Sequence, residues 1–196
     1  MTEQDTLSAS RPHNNLVTGV AYADWTPLPE TEVSPFHQAV DDVLHRTAEI
    51  ARNLIGAHQA AATLILNEDW KTARKYFSLS TKYAQWFEYR APAVGFGTHA
   101  LVVHENQPMR LTQAELEAHP AWKGFGTEAA KHPPMRGWLA VPLIGKDGRN
   151  YGLLQASDKY NDADFTADDE AHLKQLAQLT ALALDAISAL SAGSSG

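Results

Sequence analysis

The chain contains no cysteine. That one absence removes disulfides, thiolate nucleophiles, zinc–thiolate sites and thioether attachment of a chromophore. A basic surplus is missing as well, because 16 Lys and Arg stand against 23 Asp and Glu and leave a formal charge of −7. With no concentrated run of Lys and Arg, little can release counterions from a phosphate backbone, so nucleic acid is not an expected partner. No stretch reaches the roughly 18 uninterrupted apolar residues of a spanning helix. The opening "MTEQDTLSAS" also lacks a basic region followed by an apolar run. The expectation is a cytoplasmic chain with no membrane partner. Serines occur, but no "GxSxG" elbow and no nucleophile with a recognisable base accompany them, so an enzyme is not expected.

What is present suffices for one domain with a proper core: 196 residues, 44% of them hydrophobic. Residues 1–33 hold few apolar side chains, end in "WTPLPETEVS", and read as an irregular leader. Residues 191–196, "SAGSSG", read as a flexible tail. Between them, Ser34 and Pro35 make a good helix opening, and Gly56 a good stop. Phe36, Val40, Val43, Leu44, Thr47, Ile50, Ala51 and Leu54 recur at three- and four-residue steps and form one apolar stripe. "AHQAAATLILN" and "ARKYFSLS" then predict two strands joined by a polar turn around Asn67 to Asp69.

Residues 81–135 are less regular and richer in aromatics. A short helix is expected from Thr98, a short strand at "PMRL", and a helical turn capped by Thr112 with Glu115 three positions on. Segments of this kind often border pockets. "GWLAVPLIG" and "YGLLQASDK" around "KDGRN" are a strong hairpin signal, with Gly148 free to take a positive φ. From Thr166 a last helix carries Leu173, Leu176, Ala177, Thr180, Leu184, Ile187 and Leu190, while Leu179, Leu182 and Ala183 widen its apolar surface. A helix apolar on more than one side needs two neighbours. Val43, Ile50, Leu176, Leu184 and Ile187 are therefore expected at a homodimer interface, in a four-helix bundle of parallel or antiparallel order.

Just before that helix, "SDKYNDADFTADDE", residues 157–170, holds six carboxylates and one lysine. A calcium loop needs oxygen ligands at positions 1, 3 and 5, Gly at 6 and Glu at 12. Counting from Asp158, positions 6 and 12 hold Ala163 and Asp169; counting from Asp162, they hold Ala167 and Leu173, so neither register fits and no metal is expected. An acid/base pair would need apolar surroundings to raise a pKa, and this stretch has none. The residues fit a structural role better. Thr166 and Asp169 form a capping box, Glu170 joins them where the helix dipole favours negative charge, and Lys159 is the natural partner of Asp169 or Glu170.

Asp158 and Lys159, then Phe165, then Asp169 and Glu170 resemble the Asn-Lys, Phe, Asp-Glu signature of GAF domains, with Asp158 standing where that signature has Asn. "PMRLTQAELEAHPAW" and "GWLAVPLIGKDGRNYGLLQASDK" resemble the GAF modules of bacterial sensor histidine kinases. The resemblance covers residues 34–190. It implies an α+β, PAS-related fold: a central antiparallel sheet, the N- and C-terminal helices packed on one face, and a lidded pocket on the other. It also implies that Lys159 and the acidic pair form an internal salt bridge.

Members of this family bind cyclic nucleotides, bilins, haem, metabolites or nothing. A covalent bilin and the thiol chemistry of GAF-type methionine sulfoxide reductases both need Cys and are excluded. The expected ligand-binding residues are Phe96, His99, Trp122, Phe125, Arg136 and Trp138. Trp122, Phe125 and Trp138 can line a flat apolar cavity, Arg136 or His132 can meet an anionic ligand, and His99 or His104 can by type ligate a haem iron or a metal. The plainer alternative is that the aromatics are core and the histidines merely hydrogen-bonded. His99 and His104 lie five apart and do not share a helical face. "GFGT" at 95–98 lacks the spacing and the Lys of a phosphate loop. The expected function is a small-molecule sensory domain that couples pocket occupancy to a dimeric helix bundle in two-component signalling, with a separate histidine kinase or other signalling protein as partner. The alternative is a structural dimerisation module with a vestigial pocket.

Overall fold

The computed structural model describes residues 35–65, 73–87, 97–122, 124 and 132–193. The leader, the turn at Asn67 to Asp69, the Ser34 cap, Phe96 and Phe125 lie outside the described residues.

Helix α1 (Pro35–Ile55) begins at its proline and ends at Gly56, whose φ of +67° is readily taken only by a residue without a side chain. Strands β1 (Ala57–Ile65) and β2 (Ala73–Leu79) pair antiparallel, and β1 also pairs with β5 (Asn150–Lys159). Strand β4 (Trp138–Ile144) joins β5 to the short edge strand β3 (Met109–Leu111). The result is one antiparallel sheet of five strands in the order β2-β1-β5-β4-β3. A 3-10 turn (Thr81–Trp86), α2 (Thr98–Glu105) and α3 (Gln113–Ala118) occupy the middle of the chain, and α4 (Ala167–Gly193) closes it.

Period-two alternation divides the strands between two faces. On one, Ala60, Ala62, Tyr76, Leu139, Val141, Leu143 and Leu154 meet Leu44, Ala48 and Ala51 of α1 and Leu173, Ala177, Ala181 and Leu184 of α4. On the other, Trp138, Ala140 and Leu153 pack under Val102 and Val103 of α2 and Leu116 of α3, while Ala61, Phe77 and Leu79 cover Tyr83. Helices on one side and a lid on the other follow from which residue of each pair faces which way.

Helix α4 carries the capping box read from the sequence. The Thr166 amide donates to Asp169 Oδ2 at 2.7 Å, and the Asp169 amide donates to Thr166 Oγ1 at 3.1 Å. Phe165, just before the cap, is buried in the helix-side core. The helix continues to Gly193, past the point where the composition suggested a tail. Among the described residues it is the one helix long and apolar enough to cross a membrane. Its composition has a nearer cause, because one face is buried on the sheet and another carries exposed leucines.

That arrangement corrects part of the expected dimer interface. Leu176 and Leu184 belong to the core of their own domain, and Val43 and Ile187 pack against the same core half-buried. Ile50 is exposed, and so are Leu54, Leu179, Leu182 and Leu190. The stripe at Leu173, Leu176, Thr180 and Leu184 was taken up by α1 and the sheet; Thr47 and Thr180 even share a hydrogen bond of 3.0 Å across the helix pair. What remains for a partner is the side face.

Candidate functional site

The face beneath the lid carries polar residues in positions where strands usually bury apolar ones. The register sets Lys75 of β2 opposite Thr63 of β1, Thr63 opposite Leu153 of β5, and Ala61 opposite Gln155. Helix α2 lies over this row and lowers His99 onto it, with the imidazole ring 5.1 Å from that of Trp138. The Trp138 indole Nε1 donates in turn to Gln155 Oε1 at 3.3 Å. A cavity of about 20 Å³ remains among Thr63, Ile65, Ala73, Lys75, His99, Ala100, Val103 and Leu153, room for about one water.

Burial dominates the electrostatics here. It lowers the Lys75 ammonium to about 8 and the His132 imidazole to about 4, the latter partly opposed by a hydrogen bond to the Pro133 carbonyl. His99 is held well below its ordinary value by burial first and by Lys75 second. Both histidines are therefore neutral in the fold near neutral pH, and among the described residues that line this cavity Lys75 is the cationic one.

A pH dependence follows. Below pH 6.5 the unfolded chain protonates His132, whereas the folded protein does so only near 4. Stability must fall as pH drops across that window, by about 3 kcal/mol if the shift is fully expressed. His99 adds a loss of the same sign. His132→Gln is expected to flatten this part of the profile in urea titrations between pH 4 and 7; an unchanged slope would contradict it.

At the neighbouring edge of the same face, Asp158 is fully buried with a φ of +61°, a conformation Asp tolerates better than most residues. Its Oδ2 accepts from Lys82 Nζ at 2.6 Å and from Tyr83 Oη at 2.5 Å, and its amide donates to the Arg136 carbonyl at 2.9 Å. Tyr83 is pushed up by burial first and by this carboxylate second. Oδ1 is buried without a partner. Asp158→Ala loses the ion pair and the residue suited to positive φ together. We expect a cost of about 2–3 kcal/mol in urea denaturation, and a smaller one for Asp158→Asn.

The acidic run is thus dispersed. Besides Asp158, Asp162 pairs with Arg136, and Asp169 pairs with Lys159 at 2.6 Å, whose Nζ is largely shielded from solvent. Glu170 meets Arg110 at 3.2 Å and Lys174 at 3.4 Å rather than Lys159.

The expected ligand residues separate in the same way. His99 lines the cavity. Trp138 is wholly buried, so it supports the floor instead of facing open space. Trp122 is half-buried against the same cluster. Arg136, expected to meet an anionic ligand, is a correction: its side chain is half-exposed and occupied by Asp162 and the Asp162 carbonyl, because the β5–α4 turn brings that acid alongside it. Sequence reasoning missed Lys75 and Thr63, and it marked Asp158 as a signature position without finding its partners Lys82 and Tyr83. One signal existed for Lys75, since alternation places it on the same strand face as Phe77 and Leu79. A larger cavity, about 220 Å³, lies on the helix side between Phe36 and Val40 of α1, Leu184 and Ser188 of α4, and Tyr151.

An open antiparallel sheet with helices on one face and a lid over the other defines an α+β domain. The GAF domain profile matches residues 37–185, and the chain belongs to that family. Solved structures of similar fold include residues 122 to 287 of a methyl-accepting chemotaxis protein, at a TM-score of 0.60 and 16% identity, covering 77% of this chain and 92% of that one. The GAF domain of a phosphoenolpyruvate-protein phosphotransferase from Coxiella burnetii reaches 0.57 at 20% identity, covering 80% and 94%. The GAF-B domain of DevS from Mycobacterium smegmatis reaches 0.56 at 19%, covering 77% and 96%.

Proposed function

We propose that this domain is a sensory module that binds a small molecule beneath the lid and transmits occupancy to α1 and α4, acting without catalysis on a separate signalling partner. The observation that carries the reading is the buried row of Lys75, Thr63 and His99 around one cavity. Polar groups buried without partners weaken a fold and are rarely kept without a use. Transmission needs a ligand with different affinities for two arrangements of lid and strands, since a ligand indifferent to the two shifts nothing. Strand β1 links the sides directly, because Thr63 faces the lid while Ala62 and Leu64 face the helices.

The second reading, a dimerisation module without a ligand, is favoured by the exposed Ile50, Leu54, Leu179 and Leu182. Both readings predict a homodimer through that side face. Native mass spectrometry of freshly purified protein separates them. A dimer carrying a reproducible extra mass that denaturation releases supports the sensor; a dimer at bare chain mass that no added small molecule changes favours the second; a bare monomer removes the dimer from both.

A further inference from the structure

Lys75, Thr63 and His99 share an unusual condition. Among the described residues no carboxylate pairs with the Lys75 ammonium, which lies nearly out of solvent. Thr63 Oγ1 and His99 Nε2 are buried without a partner in hydrogen-bond geometry, although the Gln155 side chain lies near enough to His99 to oppose part of its lowered pKa. All three line the same 20 Å³ cavity. One such group would be a local imperfection; three around a single void define an absent acceptor.

We propose that this cavity anchors the carboxylate of a small aliphatic monocarboxylic acid, with Lys75 Nζ supplying the charge and Thr63 Oγ1 and His99 Nε2 the remaining donors. The inference rests on reading the lid face as a ligand site. Charge selects the class, because one ammonium beside a neutral imidazole and a hydroxyl matches a single negative charge. The donors suit two carboxylate oxygens, whereas among the described lining residues there is no guanidinium fork of the kind that favours phosphate. As it stands the cavity holds about one water, so a ligand enters only as the lid and strands part, the same displacement that the sensory reading invokes, and that limits it to a small acid. Ile65, Ala73, Val103 and Leu153 are the apolar walls that such an opening would offer to an alkyl chain. Lys75 remains mostly protonated at neutral pH despite its lowered pKa, and a bound carboxylate would raise that value again.

The probes are butyrate and its neutral isostere butyramide, added to the ¹⁵N-labelled full chain at constant ionic strength. The readout is the Trp138 indole N–H resonance, assigned through Trp138→Phe and close to His99. Butyrate is expected to shift it saturably and butyramide not. Lys75→Met should weaken butyrate at least about tenfold, and His99→Gln by less. If Lys75→Met fails to fold, the wild-type protein still decides, since butyrate must raise the Lys75 ammonium titration seen at Cε. Equal responses to butyrate and butyramide, both kept in Lys75→Met, would overturn the carboxylate anchor and leave a ligand pocket standing. An equal response to sodium chloride alone would reduce the site to adventitious anion binding and overturn the proposal. No response to either probe would also overturn it, while the retained mass in the native spectrum judges the sensory reading separately.

Discussion

Gly152→Ala is expected to remove about 3–5 kcal/mol of folding free energy, a large share of what a domain of this size possesses. Gly152 sits in β5 opposite Leu64 and Leu143, beside the register shift at Leu143 and Ile144. Its φ is +145°, and a Cβ built there would lie 1.8 Å from the Thr63 carbonyl oxygen. The obstacle is backbone of the neighbouring strand, so no side chain can turn aside to relieve it. Either β5 separates from β1 or the bulge is lost, and both disturb Thr63 and the cavity beneath α2. A lowered urea midpoint, with hydrogen exchange accelerated in β1 and β5 ahead of α1, would match this account. A variant of wild-type stability would mean that the β1–β5 approach at Gly152 is looser than the geometry requires.

Leu184→Asp and Leu179→Asp should behave as opposites, although the two positions lie on one helix and both read as apolar surface. Leu184 is 2% exposed and packed in the helix-side core. Arg74 and Arg149 border the helix-side cavity that Leu184 also lines, but a carboxylate there still gives up the apolar packing of α4 on α1 and the sheet, and the loss should be about 3 kcal/mol or more, enough to yield unfolded or aggregated chain. Leu179 is 65% exposed, so its replacement should leave monomer stability within about 0.5 kcal/mol. If the side face of α1 and α4 is the dimer interface, Leu179→Asp gives a folded monomer by sedimentation where the wild type is a dimer. Unchanged mass for Leu179→Asp and likewise for Leu182→Asp would remove this face as the interface.

The residues that specify local geometry were legible in the sequence. Thr166 and Asp169 cap α4, Thr112 and Glu115 cap α3, Gly148 turns the β4–β5 hairpin, and Lys159 meets Asp169. Each depends on neighbours within about ten residues, and the chemistry of capping, turns and short-range pairing is the same wherever they occur. The two amphipathic helices and the alternating strands were legible for the same reason, and with the GAF signature they carried the fold class.

Placement across the chain was not. Nothing in "ARKYFSLS" says that Lys75 will lie opposite Thr63 with His99 above it, because register and lid position join segments tens of residues apart. Asp158 read as a signature position standing in for Asn, but nothing near it says that Lys82 and Tyr83, more than seventy residues earlier, enclose it. Arg136 read as a free cation until the turn before α4 brought Asp162 alongside. The sequence by itself determined the elements, their caps and the family, since these follow from local periodicity and short motifs. Only the tertiary structure decided which apolar stripe of α4 is core, which charges neutralise one another and which remain unmet, because burial belongs to the packed assembly of the sheet and not to any one segment.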